Sequence, residues 1–180
     1  NCSKCKLCLN QKPLVDTSEK CQVIWVGLSA KRAGSDKDIP LSKSSNSGAI
    51  IQRIEEEIDG VTTYKTNLVK CPPLDEKLKL RYPNRQEIED CFCNLDNEIA
   101  ILGPKVVILL GEKVSSSVAR RYGLFFEKSD GFNYRYVQQN GIYYVPVHHP
   151  SYVHIYRRKQ LDVYINSICA IIQRLLEPEE

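Results

Sequence analysis

Four short apolar, β-branched runs alternate along this chain with segments whose apolar residues recur at helical spacing, and few architectures accept that order. The runs are Cys21–Gly27 (CQVIWVG), Thr63–Val69 (TYKTNLV), Val106–Gly111 (VVILLG) and Tyr143–Val147 (YYVPV). Each has the length and composition of a buried strand. Between them, Gly48–Ile58 carries Ile50, Ile51, Ile54 and Ile58 at helical spacing, and Asn84–Leu102 carries Ile88, Phe92, Leu95, Ile99 and Leu102 on one stripe. Lys113–Tyr122 is a weaker helix, and Lys159–Leu176 brings Leu161, Tyr164, Ile165, Ile168, Ile172 and Leu175 to one face. Strands alternating with helices predict an α/β fold, with three α/β/α layers around a central, mainly parallel, four-stranded sheet. The 180 residues are expected to form one domain, 1–180, large enough to bury a core without disulfide staples.

Composition narrows the setting. Apolar residues are 42% and charged residues 26%, an ordinary globular balance. No apolar run approaches the roughly 18 residues that a membrane span needs, and no signal peptide opens the chain. The expectation is therefore a monomer of the cytoplasm or another intracellular setting, with no membrane partner. The chain has no Met, so Asn1 is not a translation start. The net charge of +3 is too small to mark a polyanion binder, so any such site must be local.

Cysteine is more informative. The eight are Cys2, Cys5, Cys8, Cys21, Cys71, Cys91, Cys93 and Cys169. Disulfide frameworks suit small secreted chains that lack a core, and this chain is neither. Cys2-Ser-Lys-Cys5-Lys-Leu-Cys8 contains two overlapping CxxC pairs. Such a pair sets two thiolates on one tight turn, as a metal or a cluster requires. Two more ligands must come from elsewhere, and Cys71 with Cys91 or Cys93 are the evident donors. Zinc and iron–sulfur both use four Cys, so spacing leaves the two open.

Ligands of parallel sheets bind beyond the carboxyl ends of the strands. The residues that follow the strands are Gly27-Leu-Ser-Ala-Lys-Arg-Ala-Gly34, Thr66-Asn67-Leu-Val-Lys-Cys-Pro-Pro73, Gly111-Glu-Lys113 and Val147-His148-His149-Pro150-Ser151-Tyr152. Glycines, an Asn, two His and several cations thus meet at one edge, the composition of a pocket.

Read in order, these segments resemble the uracil-DNA glycosylase superfamily, in particular its iron–sulfur families 4 and 5. CSKCKL at Cys2–Leu7 looks like the opening CxxCxL, and VIWVGLSA at Val23–Ala30 like the first active-site motif. TNLVKCPP at Thr66–Pro73 is close to TNxxKCxPP. The segment from Glu87 to Ile99 resembles the helix that brings the last cluster Cys, and GPKVVILLG at Gly103–Gly111 the next strand. PVHHPSY at Pro146–Tyr152 resembles the His-Pro motif. The resemblance spans nearly the whole chain.

It implies a DNA glycosylase of base excision repair that flips a uracil-like or modified pyrimidine and hydrolyses its N-glycosidic bond. It also implies a structural [4Fe–4S] cluster on Cys2, Cys5, Cys71 and Cys91, which leaves Cys8 and Cys93 as spare thiols, while Cys21 and Cys169 read as core thiols. His149 would stabilise the anionic leaving base, and Asn67 would read its Watson–Crick edge, since an amide both donates and accepts. Gly27 and Leu28 would line the base pocket. The first motif departs from family 4, which has a carboxylate after the glycine. Here Gly27-Leu28-Ser29-Ala30 is nearer the family 5 form Gly-Leu-Ala-Pro-Ala. Ser29 can hold a water but is a weak base unaided, and Asp36 and Asp38 are the nearest acidic substitutes. Leu41 stands where a pocket Phe is usual. Without that ring the pocket either admits a bulkier pyrimidine or discriminates uracil less tightly. Related glycosylases act on hypermodified phage cytosine, which makes an antiphage role an alternative.

DNA, single- or double-stranded, is the implied partner, held by local cations. Lys31 and Arg32 lie in the first active-site loop, and Arg157 and Arg158 follow the His-Pro motif. Tyr152 and Val153 match the residues that the family inserts into the duplex. No Lys is placed for Schiff-base chemistry, so the expected enzyme is monofunctional. Two other classes fit parts of the pattern. One is a catalytically weak nucleic-acid-binding member of the same fold. The other is a zinc-binding α/β interaction protein.

Overall fold

Strand β1 (Val23–Ser29) threads the middle of the molecule, and its alternation sorts the core into two faces. Val23 and Trp25 point to one side and Ile24 and Val26 to the other, all fully buried. The computed structural model describes residues 2–35 and 38–177. β1 pairs in parallel with β2 (Thr63–Val69) and β3 (Val106–Leu110), and β3 pairs in parallel with β5 (Ile142–Val147). The order across the sheet is β2-β1-β3-β5-β4. On one face α1 (Asn46–Glu57) and α5 (Leu161–Leu176) cover Val23, Trp25, Ile108 and Val145. On the other, α2 (Arg85–Leu102) and α3 (Glu112–Tyr122) bring Phe92, Leu95, Val114 and Val118 against Ile24, Val26 and Val107. The three expected layers are present, because strands buried on both faces need helices on both.

Two elements go beyond the reading from sequence. The sheet has five strands rather than four, since the edge strand β4 (Val137–Gln139) pairs antiparallel with Ile142–Tyr144. Asn140 and Gly141, with φ of 52° and 78°, make the two-residue turn between them, the conformation that Asn-Gly favours in hairpins. The second is α4 (Pro150–Tyr156), a short helix between β5 and α5. Pro150 fits its first turn because a proline there forfeits no helical hydrogen bond.

The ends of several elements are fixed by side chains near the sheet's carboxyl edge. α2 begins with a capping box, in which Asn84 accepts from the Glu87 N–H and the Glu87 carboxylate accepts from the Asn84 N–H. Ser45 caps α1, accepting from the Gly48 N–H at 3.1 Å and donating to the Ser42 carbonyl at 2.9 Å. The N-terminal segment, with a 3₁₀ turn at Lys6–Leu9, is stitched to the same edge. The Leu14 N–H donates to the Lys70 carbonyl at 2.9 Å, the Asn10 amide to the Pro72 carbonyl at 2.9 Å, and the Gln11 side chain accepts from the Ala33 N–H at 2.7 Å.

Gly48 sits where α1 meets the loop after β1. A Cβ there would lie 1.9 Å from the Ser42 carbonyl oxygen and 2.4 Å from that of Leu41. Both obstacles are backbone, so Gly48→Ala must push the loop away. The expected cost is about 2 kcal/mol or more, read as a lower denaturation midpoint at unchanged slope, with displacement of the loop that carries Leu41.

Candidate active site

The carboxyl ends of β1, β2, β3 and β5 open into one cleft of about 860 Å³. It is lined by Gly27, Leu28 and Ser29 from the end of β1, Asn67 from β2, Gly111 after β3 and His149 after β5. Pro40 and Leu41 close it from the loop before α1, and Tyr82, Lys113 and Tyr152 stand at its sides. His149 and Asn67, expected to work together, therefore share one cavity.

His149 is the cap residue of α4, and that position decides its protonation. Its Nδ1 accepts from the Ser151 backbone N–H at 3.2 Å and lies 2.7 Å from the Ser151 hydroxyl. A backbone N–H can only donate, so Nδ1 carries no proton, and in the neutral ring the proton sits on Nε2. Partial burial pulls the His149 pKa below its ordinary value, and the Lys31 charge pulls it further. The ring is thus held neutral with a donor left for a ligand. Gly111, at φ 90°, permits the close approach of the His149 backbone that carries this ring: a Cβ there would lie 3.1 Å from that of His149.

Asn67 is buried and lies opposite Gly27 in the parallel register. A Cβ on Gly27 would fall 2.3 Å from the Asn67 side-chain oxygen. Only glycine lets the amide occupy that place. Leu41 completes the wall, its Cδ2 being 3.3 Å from the same point above Gly27, and it adopts a left-handed φ of 52°. The apolar wall of the pocket is thus an aliphatic side chain on a constrained turn.

The acidic candidates differ. Asp36 lies outside the described residues. Asp38 lines the cleft, but its carboxylate folds back on its own loop, accepting from the Gly34 N–H at 2.6 Å, the Ser35 N–H at 3.2 Å and the Ser35 hydroxyl at 3.1 Å. These donors hold its pKa below the usual carboxylate value, which makes it a stable anion and a weak base. Ser29 sits half-buried at the end of β1 and faces the cleft.

Around the mouth, Lys31 and Arg32 are exposed and line the cleft. Arg157 and Arg158 are exposed beyond the end of α4, outside the lining. Tyr152 lines the mouth and stacks on His148, with ring centroids 5.7 Å apart and planes 16° from parallel. His148 itself faces inward, its Nδ1 3.0 Å from the Tyr134 hydroxyl and its ring edge-on to Phe132. Val153 corrects the expectation of an inserted residue: α4 turns its side chain into the core, where it is fully buried. Besides Tyr152, the exposed apolar residues of α4 on the cleft are Ile155 and Tyr156. Sequence reasoning also missed Tyr82, which faces the cleft with the Lys113 ammonium 4.8 Å from its ring centre. Arg81, also on the cleft, is forked onto Glu87 at 2.8 and 2.5 Å.

The cysteines gather behind this cleft. Cys71 and Cys91 are buried beside Leu7 and Val69, with Cys5 and Cys8 packed against them. Burial pushes the Cys71 thiol up to about 12, and the nearby Cys91, Cys5, Cys2 and Cys8 add to the shift. The Lys70 N–H and the Asn94 amide each lie 3.4 Å from the Cys91 sulfur, as donors to a thiolate would. Cys93 instead accepts from the Lys4 ammonium at 2.9 Å. Among the described residues no three His, Cys, Asp or Glu side chains are arranged to hold a metal ion. The donor set still fits a group that spreads over several thiolates: the sulfurs of Cys2, Cys5, Cys8, Cys71 and Cys91 share one neighbourhood, and polar hydrogens point at the last of them. Cys21 and Cys169 are buried in the two cores, as read from sequence.

Comparison with known proteins agrees with this arrangement. A family model described as the uracil DNA glycosylase superfamily matches residues 16–173. A type-4 uracil-DNA glycosylase of Sulfurisphaera tokodaii is 25% identical over 161 residues, spanning 84% of this chain and 70% of that protein. One from Pyrobaculum aerophilum is 33% identical over 118 residues, 62% of this chain and 56% of its own. Among solved structures, SMUG2 of Pedobacter heparinus superposes with a TM-score of 0.57 at 14% identity, covering 87% of this chain and 76% of that one. That likeness is one of fold.

Because Lys31 depresses the His149 pKa, removing its charge raises it. NMR titration of the His149 ring in Lys31→Gln is expected to show protonation beginning at higher pH than in the parent. An unchanged midpoint would separate the two residues electrostatically.

Proposed function

We propose a specific reaction for this chain, which belongs to the uracil DNA glycosylase superfamily and is a DNA glycosylase: it holds a flipped uracil-like or modified pyrimidine in the cleft and hydrolyses its N-glycosidic bond without a lyase step. The observation that carries this reading is the pairing of a neutral His149 with Asn67 across one cavity. As the bond between C1′ and the base nitrogen lengthens, its electron pair moves into the base and negative charge collects on the base carbonyl oxygen O2. The His149 Nε2–H is the donor for that oxygen. Asn67, whose amide makes no hydrogen bond among the described residues, recognises the base edge. A water attacks C1′ and loses its proton to solvent, with the Ser29 hydroxyl as its positioning group.

DNA is approached through Lys31 and Arg32 at the mouth, with Arg157 and Arg158 beyond it, and Tyr152 and Ile155 as the residues that meet the stack. Cys2, Cys5, Cys71 and Cys91 would hold a [4Fe–4S] cluster. When bound, the cluster ties the N-terminal segment to the loop after β2 and to α2, a structural service. Leu41 favours one refinement. An aliphatic wall where a ring would stack leaves room on that side of the base, which supports modified pyrimidines as substrates beside uracil. An antiphage role would follow from cleavage of hypermodified cytosine.

Oligonucleotides containing uracil, hypoxanthine or modified cytosines test the reading directly. His149→Ala is expected to lower kcat about a hundredfold to a thousandfold with DNA affinity kept. Absence of cleavage on every substrate, with binding intact, would favour a binding protein of the same fold. Leu41→Phe is expected to suppress cleavage of the bulkier bases while sparing uracil; equal loss on all bases would remove Leu41 from specificity. Anaerobically purified protein should be brown and hold iron and sulfide in equal amounts, and stoichiometric zinc in a colourless protein would refute the cluster.

A further inference from the structure

One buried charge takes no part in the chemistry above. Lys70, 2% exposed, follows β2 and doubles back along it. Its ammonium donates to the Asn67 backbone carbonyl at 2.7 Å, to the Thr66 hydroxyl, and to the Glu98 carboxylate at 2.6 Å. Glu98 also accepts from the Thr66 hydroxyl at 2.9 Å. The three donors of the ammonium are thereby satisfied, two of them on adjacent residues within β2, Thr66 and Asn67. Glu98 lies about two turns after Cys91 on α2, so both project from one side of the helix. Lys70 is tied to that helix twice: by its side chain at Glu98, and by its N–H, 3.4 Å from the Cys91 sulfur.

We propose that Lys70 is a positioning residue for base recognition: anchored on α2 by Glu98, its ammonium grips the Asn67 carbonyl and so fixes the Asn67 amide over Gly27, where it meets the base. The proposal rests on the reading of Asn67 as the base reader. Its physical basis is the geometry at Gly27. The amide fits there only because no Cβ intervenes, and a small rotation of the Asn67 peptide would swing it off the pocket. A buried ion pair is weak support for stability, because desolvation offsets much of its attraction. An apolar pair of similar volume would fill the space, but it would leave the Asn67 carbonyl unheld.

That difference gives the test. Lys70→Met and the paired variant Lys70→Met/Glu98→Leu are compared with the parent, with Asn67→Ala, and with Lys70→Met in the Asn67→Ala background. In each, kcat/KM is measured on uracil and on cytosine oligonucleotides, alongside thermal midpoint and cluster absorbance. Lys70→Met alone leaves Glu98 buried without its partner and is expected to lose stability; the paired variant is expected to recover it. Both are expected to lower kcat/KM on uracil about tenfold to a hundredfold and to move the uracil-to-cytosine ratio toward that of Asn67→Ala. In the Asn67→Ala background Lys70→Met should add nothing to that loss. A paired variant that regains parental activity and discrimination along with its stability would overturn the proposal, as would fully additive losses. A crystal structure of the paired variant supplies a readout independent of activity, in which the Asn67 amide is expected to leave its place over Gly27. Should the parent cleave nothing, the glycosylase reading fails, and an Asn67 found unmoved in that crystal would overturn the positioning role separately.

Discussion

In a parallel sheet every strand must finish at the same edge, and in this protein that constraint produces the site. β1, β2, β3 and β5 all run in one direction, so the residues that follow them converge although they are far apart in sequence. Gly27, Asn67, Gly111 and His149 each come within a residue or two of a strand end. The cores on the two faces hold the strands in register mainly through apolar side chains, which leaves the edge free for polar chemistry. The two glycines matter at that edge for opposite partners. Gly27 makes room for the Asn67 amide, and Gly111 for the His149 Cβ.

The strands and long helices were legible in the sequence because their signals are local. β1 read as an unbroken apolar run since it is buried on both faces, and α2 read from its stripe of apolar residues. What was missed is short or set by tertiary context. β4 has three residues of modest propensity, Val137-Gln138-Gln139, and stands as a strand because the Asn140-Gly141 turn folds it onto β5. That dipeptide was the available signal. α4 spans seven residues, too few for a periodic pattern, and its cue was His149-Pro150. The burial of Val153 and exposure of Ile155 follow from the helix once it is known, since residues two apart on a helix face different ways.

At the site, residue identities were more legible than their states. His149 and Asn67 follow from motifs, but no motif says which imidazole nitrogen holds the proton. That depends on the Ser151 N–H, whose direction is a property of the first turn of α4. Asp38 shows the converse: its position in the loop suggested a base, whereas three hydrogen bonds from Gly34 and Ser35 commit its carboxylate to the loop itself. Lys70 lay inside the strongest motif, yet its role could not be read there, because Glu98 is remote in sequence and becomes its partner only when α2 packs on β2.

The cleft divides its electrostatics by depth, and the division follows from what each region must bind. At the mouth Lys31 and Arg32 are exposed, where a charged, hydrated phosphate would be met at small desolvation cost. Deeper in, a fixed positive charge would stabilise any anion, including ones that never react. A neutral imidazole donor and an amide select instead by direction, and their attraction grows as charge develops on the departing base. Burial lowers the His149 pKa, and the Lys31 charge at the mouth lowers it further. A cation exposed at the mouth therefore also favours the uncharged state of the ring inside the cleft.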